Sequence, residues 1–182
     1  MASLVNEYAA ADAAGRVKLI YRNYSSFLKI IDSSVEGLVY LIENEKATNR
    51  RIANGDLGVK VQTSRISDIT GDTASGNVDT RNAIIICDFS SGVLDGTDRE
   101  DEFRKKAIML KRMRRDYQLF TDQLWCLGER DRELLLGYMK SHDDVRAVAD
   151  EFGISSDSIR KHIYRTKKVV FKQTIDYMEG RL

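Results

Sequence analysis

Among 182 residues there is no proline, one tryptophan, two histidines and two cysteines. Without proline, nothing locks φ or deletes a backbone donor inside a helix, so long unbroken helices are permitted. Cys87 and Cys126 stand far apart and lack CxxC spacing, which excludes a disulfide framework and a thiolate metal site. Their apolar surroundings predict buried, inert thiols. His142 and His162 have no neighbouring cysteine pair and cannot supply the four ligands of structural zinc. No metal and no cofactor are expected. The start of the chain carries no basic stretch leading into an apolar core, so the expected localisation is cytoplasmic, with reduced thiols. No apolar run approaches the roughly 20 residues that span a bilayer, so no membrane partner is expected.

An excess of charge of either sign is also missing. Lys plus Arg number 29 and Asp plus Glu 28, so overall charge does not single out a polyanionic partner, and local distribution must decide. A phosphate-cradling glycine loop, a Ser/His/Asp order and a pocket-forming carboxylate pair are all lacking. The chain is therefore not expected to be an enzyme, and no catalytic residue is assigned.

What is present is helical periodicity. From Val5 to Ile52, residues Leu19, Ile20, Tyr24, Phe27, Leu28, Ile31 and Val35 recur at three- and four-residue spacing, as do Leu38, Leu41 and Ile42 further on. Two arrangements fit: Ser33 and Ser34 interrupt this region and cap a second helix from Val35 to Asn49, giving a helical hairpin, or the region is one long bent helix. Residues 54–97 bring Gly55, Gly58, Gly71, Gly76, Gly92 and Gly96 among Ser, Thr, Asp and Asn, and read as loop-rich. Leu57, Val59 and Val61 alternate as a short isolated strand would, and 83–89 suits a buried strand or a short helix equally well. Asp98, Glu100, Asp101 and Glu102 lead a helix that turns basic from Arg104 to Arg115. Its stripe of Phe103, Ala107, Leu110, Tyr117 and Leu124 is expected to pack on the N-terminal helices, with Trp125 in the core. The basic run itself reads as a solvated face. The expected fold is all-α: an N-terminal helical region 1–53, a Gly/Ser/Thr-rich connection 54–97 and a C-terminal helix-turn-helix domain 98–182.

The last third carries the functional signal. Residues 129–140 place Leu134, Leu135 and Tyr138 toward a core, and 141–144 supply capping candidates, with His142 or Asp143 at the break. Val145, Val148, Ala149 and Phe152 follow at helical intervals. Gly153 then suits a left-handed turn, Ile154 can fill the angle, and Ser155 can cap the next helix at Asp157 or Ser158. In helix 155–171, Ile159, Ile163, Thr166 and Val170 form the buried face. Ser156, Asp157, Arg160, Lys161 and Tyr164 lie on the half that reaches base edges in helix-turn-helix complexes, and Arg160 can pair with guanine through two hydrogen bonds. Ser155, Arg165, Lys167, Lys168 and Lys172 are placed for phosphates. Residues 158–174 hold six Lys or Arg and no carboxylate, so a neutral chain conceals a basic helix.

The segment Val145-Arg-Ala-Val-Ala-Asp-Glu-Phe-Gly-Ile-Ser-Ser-Asp-Ser-Ile-Arg-Lys-His-Ile resembles the fourth region of bacterial RNA polymerase sigma factors. Upstream, Leu127-Gly-Glu-Arg-Asp-Arg-Glu-Leu-Leu-Leu-Gly-Tyr is similar to the helix preceding it in that family. Gly58-Val-Lys-Val-Gln-Thr-Ser-Arg-Ile-Ser-Asp also resembles phage-encoded sigma-like regulators of the ArpU type. The resemblance implies a phage or prophage transcriptional regulator whose partners are double-stranded DNA and RNA polymerase. It departs from complete sigma factors before Asp98, where no aromatic-rich segment resembles a promoter-melting region, so promoter opening is not implied.

Two other classes are compatible with these residues: an oligomeric DNA-packaging adaptor like a phage small terminase subunit, and a polymerase-docking module without specific DNA binding. The continuation through Val169, Val170, Phe171, Ile175, Tyr177 and Met178 has more apolar surface than one face needs. It is expected to be covered by the N-terminal helices or by a second copy in a homodimer or higher homo-oligomer.

Overall fold

A computed structural model describes residues 4–53, 55, 69–141 and 144–181. The described residues form helices and no strand: α1 (Leu4–Ala10), α2 (Ala13–Arg22), α3 (Phe27–Ala53), α4 (Ile69–Ile86), α5 (Glu100–Trp125), α6 (Glu129–Lys140), α7 (Val145–Phe152) and α8 (Ser156–Met178). The all-α expectation holds. The strand considered at Leu57, Val59 and Val61, and the break considered at His142 or Asp143, lie outside the described residues.

The chain forms two compact units, residues 1–30 with 113–182 and residues 31–112, and both α3 and α5 contribute to each. This differs from a partition by chain order into 1–53, 54–97 and 98–182. The span read as loop-rich contains α4, a helix of 18 residues, which also settles 83–89 in favour of helix through Ile86.

In the unit 31–112, α3 runs unbroken through Ser33 and Ser34, which settles that point in favour of a continuous helix over an interruption. Their neighbours Ile31, Val35, Leu38 and Ile42 keep the buried register without a break, so burial outweighs the capping preference of serine. Leu41, counted with that register, is instead exposed. Ile84, Phe89, Leu94, Phe103, Ala107 and Leu110 complete this core. Polar contacts tie it together. Thr80 donates its hydroxyl to Glu43 at 2.7 Å, and the Glu45 carboxylate accepts from the backbone N–H of Asp98 at 2.8 Å and Arg99 at 3.1 Å. Partial burial alone would raise the Glu45 carboxyl, but the Arg99 guanidinium and these two N–H groups outweigh it and hold the carboxyl below its ordinary value.

The other unit is built on aromatic rings. Tyr117 stacks on Tyr24 at 5.2 Å and on Phe27 at 5.7 Å, while Phe120 meets Phe171 edge-on at 6.2 Å. Tyr21 meets Phe171 edge-on at 5.4 Å, so α2 covers part of α8. Buried Tyr8 donates its hydroxyl to buried Asp116 at 2.7 Å, which anchors the short α1 to α5. Desolvation, with Tyr24 beside it, pushes the Tyr117 phenol up to about 12. Two side-chain expectations fail. Trp125 is 65% exposed at the end of α5, with the Arg132 guanidinium 4.4 Å above its ring. Cys126 is exposed and Cys87 only half-buried, so neither is the sealed core thiol expected.

Candidate nucleic-acid interface

The candidate site is carried by α7, a three-residue connection and α8. Asp144 opens α7: its carboxylate accepts from the backbone N–H of Arg146 at 2.8 Å and of Ala147 at 3.3 Å. This satisfies donors that the first turn leaves without partners. Gly153 closes α7 at φ 61°, ψ 33°, in the left-handed region, and the Ile154 N–H reaches back to the Ala149 carbonyl at 3.1 Å. That six-to-one bond is the mark of a Schellman turn, which glycine adopts without a Cβ penalty. Ser155 then caps α8, its hydroxyl accepting from the Ser158 N–H at 3.4 Å.

Helix α8 presents two opposed stripes. Ile159, Ile163, Thr166, Val170 and Thr174 are buried, as the first four were expected to be. Thr174 satisfies its hydroxyl on the Val170 carbonyl at 2.7 Å, so a polar side chain sits in the core without a lost hydrogen bond. On the other side Asp157, Arg160, Lys161, Tyr164 and Lys168 are all exposed, at positions i, i+3, i+4, i+7 and i+11. The Tyr164 ring is 70% exposed, a large aromatic surface left in water beside cations. Arg160 lies 3.6 Å from Asp157, a loose exposed pair that constrains neither side chain strongly.

The remaining predicted residues separate. Arg165 and Lys172 are exposed beside that stripe, Ser156 is half-buried in the first turn, and Ser155 is occupied with its cap. Lys167 turns away. Its ammonium sits 3.8 Å over the Tyr21 ring and 5.3 Å from Phe171, where cation–π attraction fastens α8 to α2. His162, which the sequence suits to surface capping or a phosphate contact, lies 3.2 Å from the Asp131 carboxylate of α6.

Beyond Tyr164 the outer face of α8 forms an open groove of about 660 Å³, lined by Tyr164, Lys168, Phe171, Lys172, Ile175 and Arg181 among others. Arg181 is the member that sequence reasoning missed. It lies past the helix and folds back to bond Asp176 at 2.7 Å, a contact with no periodic signal. Val169 and Tyr177 remain nearly half exposed, whereas Phe171 is taken up by Tyr21 and Phe120. Among the described residues, no three His, Cys, Asp or Glu side chains converge to hold a metal ion, and no helix is long and apolar enough to cross a membrane.

No protein-family model, curated protein or solved structure matches the chain. What α8 can do follows from its own surface: a rigid rod, fixed by one buried stripe, that offers two hydrogen-bonding cations, an aromatic ring and flanking lysines on the opposite stripe.

Proposed function

We propose that the protein is a sequence-specific double-stranded DNA-binding transcriptional regulator, of phage or prophage type, that inserts the N-terminal half of α8 into the major groove. The observation that carries this reading is the exposed stripe of Asp157, Arg160, Lys161, Tyr164 and Lys168, directly opposite the stripe that holds α8 in its core. An α-helix fits the major groove, and its N-terminal residues reach base edges when the preceding helix crosses the backbone. Arg160 and Lys161 are the base-reading cations, with Ser156, Asp157 and Tyr164 beside them. Arg165, Lys168 and Lys172 take phosphates and set the register. Lys167 stays on its aromatic platform and is left out of the contact. The likeness of residues 145–163 to the fourth region of sigma factors supports a role in transcription and makes RNA polymerase the second partner of this reading.

Selection of bound fragments from a random duplex pool is the decisive experiment. A defined motif is expected, and Arg160→Ala is expected to lose about 1–3 kcal/mol of discrimination at one base position while leaving the others. Recovery of no motif from the pool would refute sequence-specific reading.

A further inference from the structure

The N-terminal part of the chain carries a local excess of positive charge that the neutral total hides. Residues 13–31 hold Arg16, Lys18, Arg22 and Lys29 and no carboxylate. Arg16 is committed: its guanidinium donates to the Tyr8 carbonyl at 3.4 Å and lies 5.6 Å over the Tyr8 ring. Lys18 and Arg22 are not. Both are exposed, one turn apart on α2, and neither side chain is bonded to another described residue. No acid stands within four residues of either, so no carboxylate on their own stripe neutralises them.

Their place beside α8 follows from the contact between the two helices. Tyr21 meets Lys167 at 3.8 Å and Phe171 at 5.4 Å. Buried Phe120 of α5 closes one side of this contact, 6.2 Å from Phe171 and 5.9 Å from Tyr24, and Val17 and Ile20 are buried on the same flank of α2. Lys18 and Arg22, three residues before and one after Tyr21, fall on the opposite flank. Tyr164 and Lys168 stand in the same relation to Lys167, three before and one after, and are likewise exposed. The open side of the contact therefore sets two cations of α2 beside the outer stripe of α8, with the Lys167 ammonium fixed between them.

We propose that Lys18 and Arg22 of α2 are a second contact for duplex DNA, holding phosphates beside the groove that α8 enters; the proposal rests on the reading of α8 as a DNA-reading helix. The contact of α2 with α8 begins at Lys167, about 10 Å along the helix axis from Arg160. The α2 cations thus meet backbone that flanks the bases, where contacts add affinity and fix position without reading sequence. A lipid surface or an apolar protein partner fits less well. An interfacial helix and the centre of a protein interface both need exposed apolar side chains, and α2 exposes no large one. An anionic backbone requires only what α2 supplies, uncommitted cations on a helix fixed by its neighbours.

The test measures binding of the full chain, over a range of salt concentrations, to a duplex of random sequence and to the duplex motif that the wild type selects. In the double variant Lys18→Ala, Arg22→Ala the slope of log affinity against log salt is expected to fall by about two, with the preference for motif over random duplex unchanged. The charge-keeping pair Lys18→Arg, Arg22→Lys is expected to retain the wild-type slope. An unchanged slope in the alanine pair, with wild-type DNA binding intact, would overturn this proposal and leave the α8 reading standing. Equal losses in both pairs also overturn it, because the effect is then a disturbed α2 and not a missing charge. A changed preference in the alanine pair overturns the assignment to backbone. Wild-type protein that binds no duplex at any salt overturns both readings. Binding to phosphatidylserine vesicles that is lost in the alanine pair, beside an unchanged DNA slope, reassigns these cations to lipid.

Discussion

Three residues occupy the same backbone position at the ends of three helices. Cys87 after α4, Gly153 after α7 and Gly180 after α8 all have positive φ, and in each case the next N–H bonds a carbonyl five residues back: Asp88 to Ala83, Ile154 to Ala149, Arg181 to Asp176. Glycine tolerates this conformation and other residues lose roughly 1–2 kcal/mol in it. A Cβ at Gly153 would meet nothing within 4 Å, so the cost of substitution there is backbone strain alone. Gly153→Val is expected to destabilise by about 1–2 kcal/mol and Gly153→Asn by less, since Asn enters this region more easily. Urea denaturation with an unchanged m-value is the check. The reverse change, Cys87→Gly, is expected to leave stability unchanged or raise it by up to about 1 kcal/mol, because relieved strain offsets the half-buried thiol. At the same scale, Tyr117 gives a pH dependence. Its phenol stays protonated in the fold to about pH 12, against 10 for the ordinary group. Between those values the unfolded chain releases a proton that the folded chain keeps, so stability falls as pH rises through that window. Tyr117→Phe should flatten this fall, as seen in melting temperatures compared at pH 9 and 11.5.

At the scale of elements, helices with a single uninterrupted apolar stripe were legible in the sequence, and so was the connection of α7 to α8. There the signals agree: Asp144 and Ser155 can cap, Gly153 can turn, and Ile159, Ile163, Thr166 and Val170 repeat. Where signals conflict, packing decides. Ser33 and Ser34 carry a local preference for capping, but they lie in a register of buried residues that runs the length of α3. The end of α4 was unreadable because Ile84, Ile85 and Ile86 have no period and its αL position is a cysteine rather than a glycine. Trp125 was misplaced because size and apolarity say nothing of position: it falls at the last residue of α5, past the final buried turn at Leu124. As the single tryptophan it reports on this directly. Its emission should be that of a solvent-exposed indole, readily quenched by iodide, and should shift little on unfolding; a strong red shift in denaturant would contradict the exposed placement.

For the whole molecule, the unit that carries α8 is assembled from both ends of the chain, residues 1–30 and 113–182. No periodicity argument could have revealed this, since a stripe shows that a helix is covered but not by which distant segment. Tyr21 covers Phe171, and Tyr24 and Phe27 cover Tyr117. A fragment of residues 98–182, the domain expected from chain order, therefore exposes further the Tyr117 and Phe171 rings that the full chain half-buries, each costing less than the ~1.5–3 kcal/mol of a fully buried side chain. It is expected to bind a hydrophobic dye and to unfold without a sharp transition, and addition of a peptide of residues 1–30 should restore cooperativity. Of the two covers expected for 169–178, the N-terminal helices supply one, with Tyr21 on Phe171, while Val169 and Tyr177 remain nearly half exposed.

The aromatic contacts of Tyr21 and Tyr24 also impose an order in time. During synthesis the segment bearing these rings is made first, yet the surfaces that cover them on α5 and α8 are made last. Residues 31–112 have their own core and can fold as they emerge, since domains generally fold as units during synthesis. The first 30 residues must wait, Tyr8, Tyr24 and Phe27 for the second half of α5 and Tyr21 for α8. A nascent chain stalled before residue 113 should therefore present an N-terminal segment open to proteases beside an already resistant middle.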